Sequence, residues 1–216
     1  MRFPCLVLDH DDTVVNSTAT VHFPSFLEFL KLKGLPDDYT LEDYFRKNFH
    51  PGVIELFRSA GIDGELMAEE ERFWNEYVQQ HVPKAYDGIR ELLWEQKNAG
   101  VKLCVISHSY KQNILRDYRE NGLPEPDLVF GWECPREQRK PSPHCVFEIM
   151  KHYGFKPEEL LVIDDLKPGH DMARAAGVNF AAAGWANDIP EIESFMRFSS
   201  DIYFKTAAEL RAYLEG

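Results

Sequence analysis

The chain has 216 residues, 36 of them acidic and 24 basic, giving a formal net charge of −12 and a pI near 5.1. That balance opposes nonspecific nucleic-acid binding, which needs a basic surface, and no run of about 18 apolar residues offers a membrane span. The length allows a full apolar core without covalent staples. The four widely spaced cysteines, Cys5, Cys104, Cys134 and Cys145, therefore read as reduced, structural thiols in a cytoplasmic protein. Zinc on Cys134, Cys145 and His144 is the sharper alternative, disfavoured because Cys-x₁₀-Cys lacks knuckle spacing. The first strand begins almost at Met1, which leaves no room for the charged and apolar regions of an export signal.

Cys5-Leu6-Val7-Leu8 is an apolar, strand-forming run that ends in acids at alternate positions, Asp9 and Asp11. As a buried parallel strand it would present both carboxylates at its carboxyl end, where α/β sheets place their chemistry. The pair suits phosphoryl transfer: one carboxylate attacks phosphorus, and another two residues on protonates the leaving oxygen and later deprotonates water. Side by side they repel, so one keeps its proton or a divalent cation compensates. By itself the triplet equally fits a strand end capped by solvated acids and a turn.

From Ser17 to about His81 the pattern is helical, with apolar residues at Phe23, Phe26, Leu27 and Leu30 and again at Phe73, Trp74, Tyr77 and Val78. Breaks at Gly34-Leu35-Pro36, His50-Pro51-Gly52 and Gly61-Ile62-Asp63-Gly64 divide it into about four helices, an all-helical insert over residues 16–83 whose aromatics form its own core. After the linker at 82–86 a helix opens at Asp87-Gly88 and closes at Ala99-Gly100. Strands are expected over Val101 to Ile106, Asp127 to Phe130, Leu160 to Ile163, Val178 to Ala182 and Ile202 to Phe204. Helices alternate with them over Lys111 to Asn121, after Pro143 as far as Tyr153-Gly154, around Asp171 to Ala176, and near Thr206 to Leu214. Trp185 to Ser200 has mixed polarity and yields no element. Strands alternating with helices imply an α/β core, 1–15 and 84–216: a Rossmann-like parallel sheet with helices on both faces.

Each later strand delivers polar residues at its carboxyl end. Ser107, with the amides of the helix start after it, can hold a phosphoryl oxygen, although a serine there is also a common helix cap. Lys140 stands before Pro141 and Pro143, so its backbone is extended and its amine can reach back to offset charge on the nucleophile and on phosphorus. Asp164 and Asp165 close an apolar strand where adjacent acids are hard to justify for stability. They read as metal ligands, one direct and one through water, in the partly hydrated octahedral manner of Mg²⁺.

Taken together, Asp9-x-Asp11-x-Thr13, Ser107, Lys140 with Pro141-Ser142-Pro143, and Asp164-Asp165 continuing to Gly169 and Met172-Ala173-Arg174-Ala175-Ala176-Gly177 resemble the four motifs of the haloacid dehalogenase superfamily. The insert resembles that family's C1 cap, as in phosphoglycolate-phosphatase-like and β-phosphoglucomutase-like members. The resemblance implies Asp9 as the nucleophile that forms an aspartyl-phosphate, Asp11 as general acid and base, and Mg²⁺ on Asp9, the Asp11 backbone carbonyl and Asp165, with Asp164 in support. It also implies that Thr13 fixes the first loop and that Ser107 and Lys140 hold phosphate. The assembly expected is a monomer or homodimer, a choice the sequence does not decide. His10 and His108, beside these motifs, are further candidates for binding phosphate.

The sequence departs from the family at His10, where a bulky apolar residue is usual, at Asp12 in place of the common Gly, at His108 for a frequent Asn, and at Leu166 for a frequent Ser. His10, His108 and His170 could crowd one loop face, against the plainer reading of ordinary loop residues. The expected activity is Mg²⁺-dependent hydrolysis of a small phosphorylated metabolite, phosphoglycolate-like or sugar-phosphate-like, with a mutase or a noncatalytic phosphate-binding module as alternatives. Asp11 argues against dehalogenation, which needs no leaving-group acid, and Lys31, Lys33 and Lys47 are more simply solvated than Schiff-base lysines. In the insert, His22, Phe23, Arg46 and His50 are candidates for facing the site.

Overall fold

The computed structural model describes residues 2–216 and divides the chain into two compact units. One holds the chain up to Asn16 and again from Lys84 to Gly216; the other is Ser17–Pro83.

The first unit is built on six parallel strands, β1 (Cys5–Leu8), β2 (Lys102–Ile106), β3 (Leu128–Phe130), β4 (Leu160–Asp164), β5 (Asn179–Ala183) and β6 (Ile202–Phe204), in the order β3-β2-β1-β4-β5-β6. In register, Leu8 faces Val105 of β2 on one side and Ile163 of β4 on the other. The chain steps outward from β1 to β3, then returns to β1's opposite edge. The order therefore reverses beside β1, which opens a crevice at the strands' carboxyl ends.

The apolar runs form strands because both faces are covered; every residue of β1 is buried. One set of alternating side chains, Leu6, Leu8, Leu103, Val105, Leu161 and Ile163, packs with Leu92 and Leu93 of α5 (Ile89–Asn98), Ile114 and Tyr118 of α6 (Lys111–Glu120), and Leu210 and Leu214 of α10 (Ala207–Glu215). Elsewhere α8 (Lys167–Ala176) packs on β4 and β5, α7 (His144–Tyr153) on α8, and α9 (Pro190–Ser199) on β6. Two elements differ from the sequence reading. The helix after Asp165 starts at Lys167 rather than near Asp171, because Pro168 occupies its first turn and needs no amide partner there. The unread stretch 185–200 contains α9, whose buried Ile192 and Met196 lie one turn apart.

The second unit begins with a π-helical turn, Thr18–His22, that runs directly into α1 (Phe23–Lys33), followed by α2 (Leu41–Phe49), α3 (Val53–Ser59) and α4 (Gly64–Gln80). Phe26, Phe29, Tyr44, Phe57 and Ile62 form its core, with Phe26 and Phe57 stacked at 5.5 Å. Gly34, at φ 66°, ends α1, and a reciprocal Thr40–Asp43 capping box starts α2. In the sheet unit the departing and returning chain segments lie together: Asn16 N–H donates to Lys84 O at 2.9 Å and Tyr86 N–H to Val14 O at 3.1 Å. No helix among the described residues is long and apolar enough to cross a membrane.

Candidate active site

The site grows from the end of β1. Asp9 leaves the strand still in its ladder, its N–H donating to Ile163 O at 2.9 Å, and it is 5% exposed. Lys140 arrives from a loop 131 residues later and donates to Asp9 Oδ1 and to Asp164 Oδ2, each at 2.7 Å. Burial pushes the Asp9 carboxyl up to about 7; Lys140 opposes the rise, while Asp164 and Asp11 add to it. Burial by itself would depress the Lys140 amine, but Asp164 and Asp9 outweigh it and keep the amine above its ordinary value. Asp164 can sit here only because residue 169 is glycine, since a Cβ on Gly169 would fall on the Asp164 carboxylate.

Asp11 has other company. Ser109 Oγ donates to Asp11 Oδ2 at 2.6 Å, and Ser107 Oγ lies 3.3 Å from the same oxygen while accepting the Ser109 N–H at 3.1 Å. Ser109 was not singled out from the sequence. Its signal was the alternation Ser107-x-Ser109 at the end of β2, which mirrors Asp9-x-Asp11 at the end of the neighbouring β1. The loop is closed by backbone bonds from Val14 and Val15 N–H to His10 O and from Asp12 N–H to Val15 O, and Thr13 O accepts the Trp185 indole N–H at 3.1 Å.

Asp9, Asp164 and Asp165 bring one carboxylate oxygen each within 4.8 Å of one another. Asp164 already accepts from Lys140 and, through Oδ1, from Leu166 N–H at 2.9 Å. Asp165 is 3% exposed and neither of its oxygens has a partner. A buried carboxylate without a donor is costly; accordingly, burial and the charges of Asp12, Asp164 and Asp9 hold Asp165 well above the carboxylate range. An all-oxygen set with two unsatisfied lone-pair groups fits a hard divalent cation such as Mg²⁺. The Asp11 carboxylate is outside this group, committed to Ser109, so a part for Asp11 in metal binding falls to its backbone carbonyl. Among the described residues Cys134, Cys145 and His144 make no such convergent group, and all four cysteines are free thiols.

The three histidines do not converge. His10, expected to bind phosphate, has its ring buried against α6, with Nε2 3.0 Å from Asp117 Oδ2 and the ring 5.9 Å from that of Tyr118. Held there, the ring is an internal strut. The ring nitrogen Nε2 is thereby committed to α6 rather than turned toward a phosphate. His108 is exposed, with Nε2 3.2 Å from Lys140 O and its edge toward Trp132. His170 is shared between Asp171 and the Ser199 carbonyl. Sequence reasoning also missed Arg139, which stacks 3.8 Å over Trp132 and donates to Cys134 O at 2.7 Å, bracing the loop that carries Lys140. Within the helical unit His22 accepts from Trp74 Nε1 at 3.0 Å, Phe23 packs edge-on to Tyr44, Arg46 pairs with Glu42, and His50 is exposed.

Against known proteins, residues 6–183 match the model of the haloacid dehalogenase-like hydrolases. The chain belongs to that family, and within it the chain is a phosphatase. A phosphoglycolate phosphatase of Aquifex aeolicus is 28% identical over 83% of this chain and 84% of its own length, and the pyrophosphatase PpaX of Bacillus cereus 25% identical over 86% and 85%. In fold, the crystal structure of a predicted phosphoglycolate phosphatase from Haemophilus somnus superimposes with a TM-score of 0.80 at 18% identity, over 99% of both chains.

Proposed function

We propose that this phosphatase hydrolyses a small phosphorylated metabolite, phosphoglycolate-like or sugar-phosphate-like, with Mg²⁺ and through an aspartyl-phosphate on Asp9. The observation that carries the reading is Lys140 bridging Asp9 and Asp164 beside an Asp165 whose oxygens have no partner. Lys140 pins Asp9 Oδ1 and so orients Oδ2 toward phosphorus. As Oδ2 forms its bond to phosphorus the ester P–O bond breaks, and Asp11 delivers a proton to the leaving oxygen. Asp11 then takes a proton from the water that attacks phosphorus, the bond to Asp9 breaks, and inorganic phosphate leaves. Ser109 and Ser107 both donate to Asp11 Oδ2, which fixes the carboxyl group that carries the proton. Asp9, Asp165 and the Asp11 carbonyl would hold Mg²⁺, supported by Asp164; when bound it neutralises charge on the phosphoryl oxygens. Lys140 adds a second positive charge on the nucleophile's side. The relatives named above support a compact, anionic substrate.

The test is phosphate release from 2-phosphoglycolate and p-nitrophenyl phosphate, in Mg²⁺ and in EDTA, by wild type and Asp9→Asn, with acid-quenched protein assayed for an acyl phosphate. Turnover should need the metal and fall by on the order of 10³-fold or more in Asp9→Asn. Metal-independent turnover, or an active Asp9→Asn protein, would overturn the reading.

A further inference from the structure

Asp12 is the only non-glycine residue at positive φ among the described residues, at 59°. A glycine takes that conformation freely, whereas an aspartate adopts it more readily than most side chains but still at a cost. Asp12 is also 3% exposed, so its carboxylate is buried as well as strained. Two groups meet it. The Tyr86 hydroxyl donates to Asp12 and also lies 3.4 Å from Asn16 Oδ1; burial, with the charges of Asp12 and Asp165, pushes the phenol above its ordinary range, so it stays a donor. The other group is Asp165, likewise 3% exposed, whose carboxylate lies near enough for the two negative charges to act on one another. A strained, buried acid placed against a second acid that has no partner of its own works against stability on every count. Such local cost marks functional positions.

We infer that Asp12 is an outer-sphere ligand of the divalent cation, a fixed acceptor for a cation-bound water, with Tyr86 as the strut that orients it. Mg²⁺ keeps several of its waters, and the groups that accept from them set affinity much as the direct ligands do. The Asp165 oxygens, buried and unpartnered, are the independent sign that charge here awaits a cation. The tyrosine is itself well placed: its ring packs edge-on to Trp185 at 6.4 Å, and that indole holds Thr13 O in the same loop. The inference rests on the metal reading proposed above.

The experiment compares Mg²⁺ binding by calorimetry, without substrate, and thermal midpoints of the metal-free protein, for wild type, Asp12→Gly, Tyr86→Phe and Asp165→Asn. Glycine suits φ 59°, so Asp12→Gly should melt higher than wild type when metal-free. The same substitution should weaken Mg²⁺ binding by about 10- to 100-fold, the usual effect of removing an outer-shell partner. Tyr86→Phe should weaken it less, and Asp165→Asn should abolish it. Unchanged Mg²⁺ affinity in Asp12→Gly, with wild type binding and Asp165→Asn not, would overturn the inference alone. A wild type that takes up no Mg²⁺ would overturn the metal reading and the inference with it.

Discussion

The two units treat charge in opposite ways. In Ser17–Pro83 the ion pairs face solvent, as in Lys31 with Asp37, Arg46 with Glu42 and Arg58 with Glu55, around a core of stacked and edge-on aromatics. In the sheet unit a lysine whose side chain is 5% exposed lies between two carboxylates, and Asp165, Asp12 and the His10–Asp117 pair are buried in the same unit. Solvated pairs contribute little to stability, and buried ones are expensive unless fully partnered. Buried charge that collects where β1, β2 and β4 end, and nowhere as densely in the other unit, is therefore a mark of chemistry. The helical unit has one exception, Glu70 on α4, which is buried.

That contrast can be broken at four places. Lys140→Met would leave Asp9 and Asp164 facing each other without a cation; the expected loss at pH 7 is about 3–5 kcal/mol by urea denaturation, shrinking as the carboxylates protonate at lower pH. An unchanged urea midpoint would mean the bridge is not structural. For Glu70, burial first and Glu71 second raise the carboxyl to about 7 against the opposing pull of His22, whereas the unfolded chain ionises it near 4.5. Its contribution to folding is then full below about 4.5 and lost as pH rises through about 7, on the order of 3 kcal/mol. Glu70→Gln should remove that slope, seen as a wild-type-minus-variant stability difference that grows between pH 4.5 and 7.5; a flat difference would dismiss the idea. Gly169→Ala should displace Asp164 at an overpacking cost of about 1–3 kcal/mol and lower kcat at least tenfold through Lys140. Wild-type kcat in this variant would show that α8 yields without moving the acid. The solvated pair Arg58–Glu55 sets the lower bound, and Arg58→Ala should cost no more than about 0.5 kcal/mol.

What could be read in advance follows the same division. Apolar runs ending in acids announced β1 and β4, because a strand buried on both faces has no other reason to stop in Asp9 or in Asp164-Asp165. The π-helical form of the entry Thr18–His22 carried no such mark within a segment already read as helical, and α9 carried none at all, since four-residue spacing in a mixed stretch looks like a loop until the helix packs on β6. The reach of Lys140 was readable from its prolines, but its second partner, Asp164, was not. The partner of His10 was not legible because it lies 107 residues away on α6, and nothing local distinguishes a strut from a ligand. Ser109 escaped because a serine before a helix is expected to cap it, whereas here the hydroxyl turns to Asp11 on the neighbouring strand's loop.

The position of β1 has a consequence for synthesis. The first strand to leave the ribosome belongs in the middle of the sheet, and its two neighbours are encoded at 102–106 and 160–164, after the whole of Ser17–Pro83. The edge that meets β2 thus stays bare while roughly 100 further residues are translated, and the edge that meets β4 while about 150 are, a wait on the order of ten seconds or more. Meanwhile the helical segment, with its own aromatic core, emerges complete and can collapse first, setting a folded body between the strand and its future partners. Yield in the cell should therefore depend on how well that early strand is shielded from other chains, a demand that falls on chaperones rather than on the stability of the finished molecule.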